Sequence, residues 1–181
     1  MASYGGYLHG SWFSYPIPAW LMDVLIPQQE FLATIAAQLT FAPLVEGAAA
    51  VLVSDSSTSV HVLDHDGANS PQMQHLHLVA LSPRVPQCFA HARHGYGESN
   101  PAADFASRGR FVELAELAAQ LGVRLARLPV PDMFDVILRE FHAAFPDRPP
   151  RKQPSPAAVQ LTPSPTAAPH PPSPAAALPT P

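Results

Sequence analysis

The alternation of apolar and polar positions along this chain predicts a mixed series of strands and helices. Residues 4 to 13 combine Gly5, Gly6 and Gly10 with Tyr7, Leu8, Trp12 and Phe13, a pattern that suits an extended hairpin, and Tyr15-Pro16-Ile17-Pro18 then predicts a loop. From Pro27, well placed in a first helical turn, Phe31, Leu32, Ile35 and Leu39 fall on one helical stripe. The short apolar run Ala48 to Val53 reads as a strand buried on both faces, with Asp55 at its exit. Ser56 to Leu63 reads as a short helix, and Ser70-Pro71 as the cap and first residue of another that reaches about Leu81.

Gln87 to His94 supplies the next strand, and Asn100-Pro101 repeats the cap-and-proline device ahead of a short helix carrying Asp104. A helix over about Gly109 to Leu121 stops at Gly122, Val123 to Leu128 is a candidate strand, and Met133, Phe134, Ile137, Leu138 and Phe141 are spaced for a last helix within Pro131 to Phe145. The expected fold is therefore α/β, a mixed sheet of about five strands flanked by helices.

Composition divides the chain. Thirteen of its 23 prolines lie between Pro146 and Pro181 among Ala, Ser and Thr. Such a segment has few large apolar groups to offset its ordering entropy, so residues 146 to 181 read as a disordered spacer of polyproline II character. SH3- or WW-type recognition of its Ser-Pro steps is the alternative.

Charge divides it differently. The net charge is -4, yet no Lys or Arg precedes Arg84, whereas Asp23, Glu30, Glu46, Asp55, Asp64 and Asp66 all do. Total charge therefore gives no argument for a nucleic-acid partner, although a bound divalent cation reverses that logic locally. The lone Cys88 excludes an intramolecular disulfide framework and reads as a core thiol. A start without a basic segment and the lack of an 18-residue apolar run make an intracellular protein, cytoplasmic or nuclear and with no membrane partner, the expectation.

The strongest local pattern is His94-x-x-Gly97-x-x-Asn100-x-x-Ala103-Asp104-x-x-Ser107-Arg108. It resembles the H-x-P-G-x-x-N-x-x-A-D-x-L-S-R ending of the ribonuclease-H domains in retroelement reverse transcriptases, with Tyr96 in place of the proline and Ala106 in place of the leucine. Val51-Leu52-Val53-Ser54-Asp55-Ser56-Ser57-Thr58 is similar to the family's "SDSTT" strand end, and Gly67-Ala68-Asn69-Ser70-Pro71 to its "GGTRSP" turn in the DIRS-like retrotransposon and pararetroviral branches. The long helix matches the one whose early Glu is a ligand, which falls on Glu30.

The resemblance covers about Met1 to Arg110 and implies residues 1–110 as a ribonuclease-H-like domain, 111–145 as a helical and strand appendage, and 146–181 as the tail. It also implies Glu30, Asp55 and Asp104 as catalytic ligands for two Mg²⁺ ions, with Asn100 and Arg108 contacting nucleic acid. The implied substrate is RNA in RNA/DNA hybrids, and the implied partner is the polymerase region upstream in the parent element. Several converging carboxylates are what a two-ion hydrolytic site requires. At the front, where the family carries Asp-Ala-Ser, this chain reads Met1-Ala2-Ser3, so the bridging carboxylate is replaced and the first strand is short; impaired cleavage is the expectation.

Each residue also has a purely structural reading. Glu30 alone suits a solvated first-turn carboxylate, Asp55 a helix N-cap, Asp104 a water-facing side chain, and His94 a loop histidine or an aid to product release. His75 and His77 sit about 200° apart on a helix, a poor zinc arrangement. A non-catalytic remnant, or a nucleic-acid- or protein-binding module of the same fold, is the alternative function.

Overall fold

The computed structural model describes residues 3–46, 48, 50–65 and 67–146; the proline-rich tail lies outside the described residues from 147 onward. The elements in chain order are β1 (Ser3–Leu8), β2 (Ser11–Pro16), α1 (Ile26–Val45), β3 (Ala50–Ser54), α2 (Ser57–Asp64), α3 (Pro71–Ala80), β4 (Phe89–His94), α4 (Pro101–Ser107), α5 (Phe111–Gln120), β5 (Ala126–Arg127) and α6 (Met133–Ala144). Short 3-10 turns at Ala19–Leu21 and Gly97–Ser99 precede α1 and α4.

The hairpin forms because His9 and Gly10 both take positive φ, 46° and 91°, the two-residue turn whose twist matches its strands. β1 and β2 pair antiparallel from Ser3↔Pro16 to Leu8↔Ser11, so β2 runs two residues into the segment expected as a loop. In α1, Pro27 lies in the first turn and Phe31, Leu32, Ile35 and Leu39 are buried as their spacing requires; the helix continues to Val45 because Phe41 and Val45 are buried too. Ser70 caps α3 by accepting from the Met73 amide at 3.2 Å.

Among the described residues the fold is mixed α/β with six α-helices, and the five strands do not form one sheet. β1, β2 and β5 make a three-stranded sheet in the order β1-β2-β5, while β3 and β4 pair parallel in a separate two-stranded sheet. Alternation along a strand fixes which side chains face inward and carries no information about which neighbour takes its edge. The expectation that β3 is buried on both faces fails for a related reason: Leu52 is buried, whereas Val51 and Val53 are 52% and 47% exposed along a cleft. A short apolar run does not reveal whether its second face finds a partner.

Residues 111–145 are not an appendage. Phe134, Ile137, Leu138 and Phe141 of α6 enter the main core with Tyr4, Phe13, Phe31 and Ile35. Phe134 meets Tyr4 and Tyr15 edge-on, with ring centroids 5.8 and 5.1 Å away. Leu114 of α5 joins Trp12, Ala102 and Ala106 in a second cluster on the other side of β2, and β5 pairs with β2 through Ser11↔Ala126 and Trp12↔Arg127. This segment closes both faces of the three-stranded sheet, which its helical spacing alone did not disclose.

Candidate active site

The two sheets leave a cleft of about 320 Å³ between them. One side is β1, the other is β3 with Asp55, and faces of α1 and α4 complete the walls. Glu30, Asp55 and Asp104 all line this cleft although they are widely separated in sequence, and Asn100 lines it with them. Among the described lining residues there is no Lys or Arg, so the wall is charged with one sign only.

Local structure explains how each group arrives there. Gly5 of β1 lies so close to α4 that any Cβ would fall on the backbone of Ser107, and the Ser3 hydroxyl donates to the Ser107 carbonyl. Only a glycine lets the helix bearing Asp104 approach the strand this closely. Ser56, not Asp55, caps α2, accepting from the Ser59 amide at 3.1 Å and the Ser59 hydroxyl at 2.9 Å. Asp55 is thereby spared the capping role and stands at the cleft wall as the residue after β3.

The β3–β4 ladder runs on into this turn. The Gly95 amide donates to the Ser54 carbonyl at 2.9 Å, and His94 Nε2 lies 3.2 Å from the Asp55 carbonyl, a contact in which the Nε2-protonated ring donates. His94 thus braces the backbone that carries Asp55. Asn100 occupies the cap position of α4 but, among the described residues, its side chain makes no capping bond. Its place in the cleft wall accounts for that difference from the sequence pattern.

Asp104 has a competing partner. The Arg108 guanidinium, one helical turn on, donates from Nε to its carboxylate at 2.5 Å. Asp55, Asp104 and Arg108 also border a more open outer depression with Tyr96, Glu98 and Phe105, so the first two carboxylates stand where cleft and outer groove meet.

No family model, no curated protein and no solved structure matches this chain. The function must therefore be argued from the site.

An all-carboxylate donor set is the chemistry a hard, oxygen-seeking divalent ion such as Mg²⁺ takes. The placement fits that ion less well. Among the described residues, no group of three His, Cys, Asp or Glu side chains is arranged to hold a metal. The three residues share a cleft without closing into one coordination shell.

Of the residues selected from the sequence, Glu30, Asp55, Asp104 and Asn100 come to one cleft and Arg108 to the outer groove. The close approach at Gly5, the cap at Ser56 and the bracing bond of His94 were not read from the sequence, although the paired glycines inside a strand and the place of His94 in the motif were signals for two of them.

Proposed function

We propose that this cleft descends from a ribonuclease-H-type site, a Mg²⁺-dependent hydrolase acting on RNA in RNA/DNA hybrids alongside a reverse-transcriptase polymerase region, and that its activity here is impaired. The observation that carries the reading is the meeting of Glu30, Asp55 and Asp104 in one cleft whose described lining has no basic side chain. Such a wall repels a phosphate backbone unless cations are present. Glu30, Asp55 and Asp104 are the residues that would hold Mg²⁺, which would supply the charge that activates water and stabilises a departing oxygen.

The chain's own residues do the placing. Glu30 is in the second turn of α1, Asp55 follows a strand and its backbone is braced by His94, and Asp104 rides on a helix pressed against Gly5, all firm mounts for a site that needs fixed geometry. Arg108 and the exposed Tyr96 border the outer groove, where a guanidinium meets a phosphate and an aromatic ring meets a base.

The Arg108–Asp104 pair and the open carboxylate set favour a second reading, a non-catalytic module that keeps the cleft for binding. A labelled RNA/DNA hybrid separates the two. Slow Mg²⁺-dependent cleavage that falls at least tenfold in Asp55→Asn supports the hydrolase; cleavage indifferent to that change contradicts the site, and hybrid binding without cleavage at any Mg²⁺ concentration leaves the binding module.

A further inference from the structure

We propose that the open edge of β3 is a strand-addition site for an extended segment of another polypeptide, apolar at alternate positions and cationic at the end that reaches Asp55.

The first observation is the unpaired edge. β3 pairs with β4 from Ala50↔Phe89 to Ser54↔His94, and its other edge has no strand partner among the described residues. The irregularity between Ala50 and Val51 sits at the start of the strand and leaves Val51 to Ser54 in regular register. Residues Val51 to Ser54 of β3 line the cleft, and so does β1, the outermost strand of the other sheet.

The second is how the two strands of this sheet treat exposure. Open edges in folded proteins are commonly blunted by charged residues, which discourage another chain from pairing. β4 follows that rule with exposed Arg93, flanked by the polar rings of His91 and His94. β3 reads Ala-Val-Leu-Val-Ser, with no charge, and exposes Val51 and Val53 beside its free edge. An uncharged strand that leaves its backbone edge and two valines open together is a ready template for another strand.

Charge complementarity then sets the partner's chemistry. A strand laid along β3 covers Val51 and Val53 with its own alternate apolar side chains, as in other β-augmentation complexes. Its end beyond Ser54 enters the field of Asp55 and Glu30; Asp104 is already paired with Arg108, and the described cleft lining itself holds no Lys or Arg to oppose a cation. This inference does not rest on the nuclease reading, because the ladder uses the backbone of residues 51–54.

The test uses the full chain and two probe peptides, Lys-Thr-Val-Thr-Val-Thr and Thr-Val-Thr-Val-Thr-Lys, both end-blocked so that either strand direction can present the lysine to Asp55. Amide hydrogen exchange is followed residue by residue. The expected result is at least tenfold slower exchange within Val51 to Ser54 with one of the two peptides, lost when that peptide is N-methylated at alternate residues and weakened several-fold by Val53→Lys. Asp55→Asn is expected to weaken the lysine peptide more than its norleucine counterpart. Unchanged exchange with both peptides overturns the proposal, as does protection insensitive to N-methylation. Protection that instead grows with protein concentration alone also overturns it, by assigning the edge to a second copy of the chain. Absence of Mg²⁺-dependent cleavage by the unaltered chain, with strand addition intact, counts against the nuclease reading only.

Discussion

The two sheets of this molecule are finished to different degrees. The three-stranded sheet is covered on both faces, by α1 and α6 through Phe13, Phe31 and Phe134 and by α4 and α5 through Trp12, Ala106 and Leu114. The two-stranded sheet buries Leu52 but leaves Val51 and Val53 exposed beside a free edge, and the candidate carboxylates collect at that open side. Stability is concentrated in the first region. The second has groups placed where a ligand can reach them, which is where unfinished packing is tolerated.

The contrast is broken most directly by truncating one side chain from each region. Phe134→Ala empties a fully buried site bounded by Tyr4 and Tyr15, and the expected loss in denaturant unfolding is about 3 to 5 kcal/mol. Val53→Ala, on the exposed side, is expected to change stability by no more than about 0.5 kcal/mol. Comparable losses at the two positions would show that the β3 face is packed after all.

A smaller effect sharpens how α6 is tied to the three-stranded sheet. The Tyr15 hydroxyl donates to the Asp135 carboxylate, and burial, with the bond and charge of Asp135 adding to it and Arg139 opposing, pushes the phenol from its ordinary value of 10 up to about 12. A folded-state pKa above the unfolded one means that the fold holds the proton more tightly. The stabilisation is fully present below pH 10 and is lost as pH rises towards 12. Tyr15→Phe is expected to cost about 1 kcal/mol at neutral pH and to remove this part of the alkaline decline, which thermal melts across pH 8 to 12 measure.

The smallest effect compares two caps with the same sequence signature. Ser70→Ala is expected to cost about 1 kcal/mol, because Ser70 accepts from the Met73 amide, whereas Asn100→Ala is expected to cost clearly less, its side chain facing the cleft without a capping bond among the described residues. Equal losses in chemical unfolding would return Asn100 to a purely structural role.

These differences mark what was legible in the sequence. Local signals were reliable: the glycine turn of the hairpin, the stripe on α1, the Ser70 cap, the glycine at φ 65° that follows α5 and the order of six helices all lie where spacing and turn chemistry put them. Non-local facts were not. The pairing of two-residue β5 with β2, the entry of α6 into the main core and the separation of β3 from β1 depend on contacts between distant segments, which no periodicity encodes. Glu30, Asp55 and Asp104 could be selected because motif and residue type coincide there. The grip of Arg108 on Asp104 could have been anticipated from their i, i+4 spacing, yet that spacing on a helix is equally common between residues with no site nearby.

The central claim is that the three carboxylates act on one divalent cation population in one cleft. Paramagnetic Mn²⁺, a spin-bearing substitute for Mg²⁺, titrated into isotope-labelled protein tests it most directly. The account predicts that amide signals around Glu30, Asp55 and Asp104 broaden together with one midpoint, that excess Mg²⁺ reverses the broadening, and that Asp55→Asn shifts the midpoint at all three at least several-fold. Broadening confined to one of the three segments, or three unrelated midpoints, would contradict it.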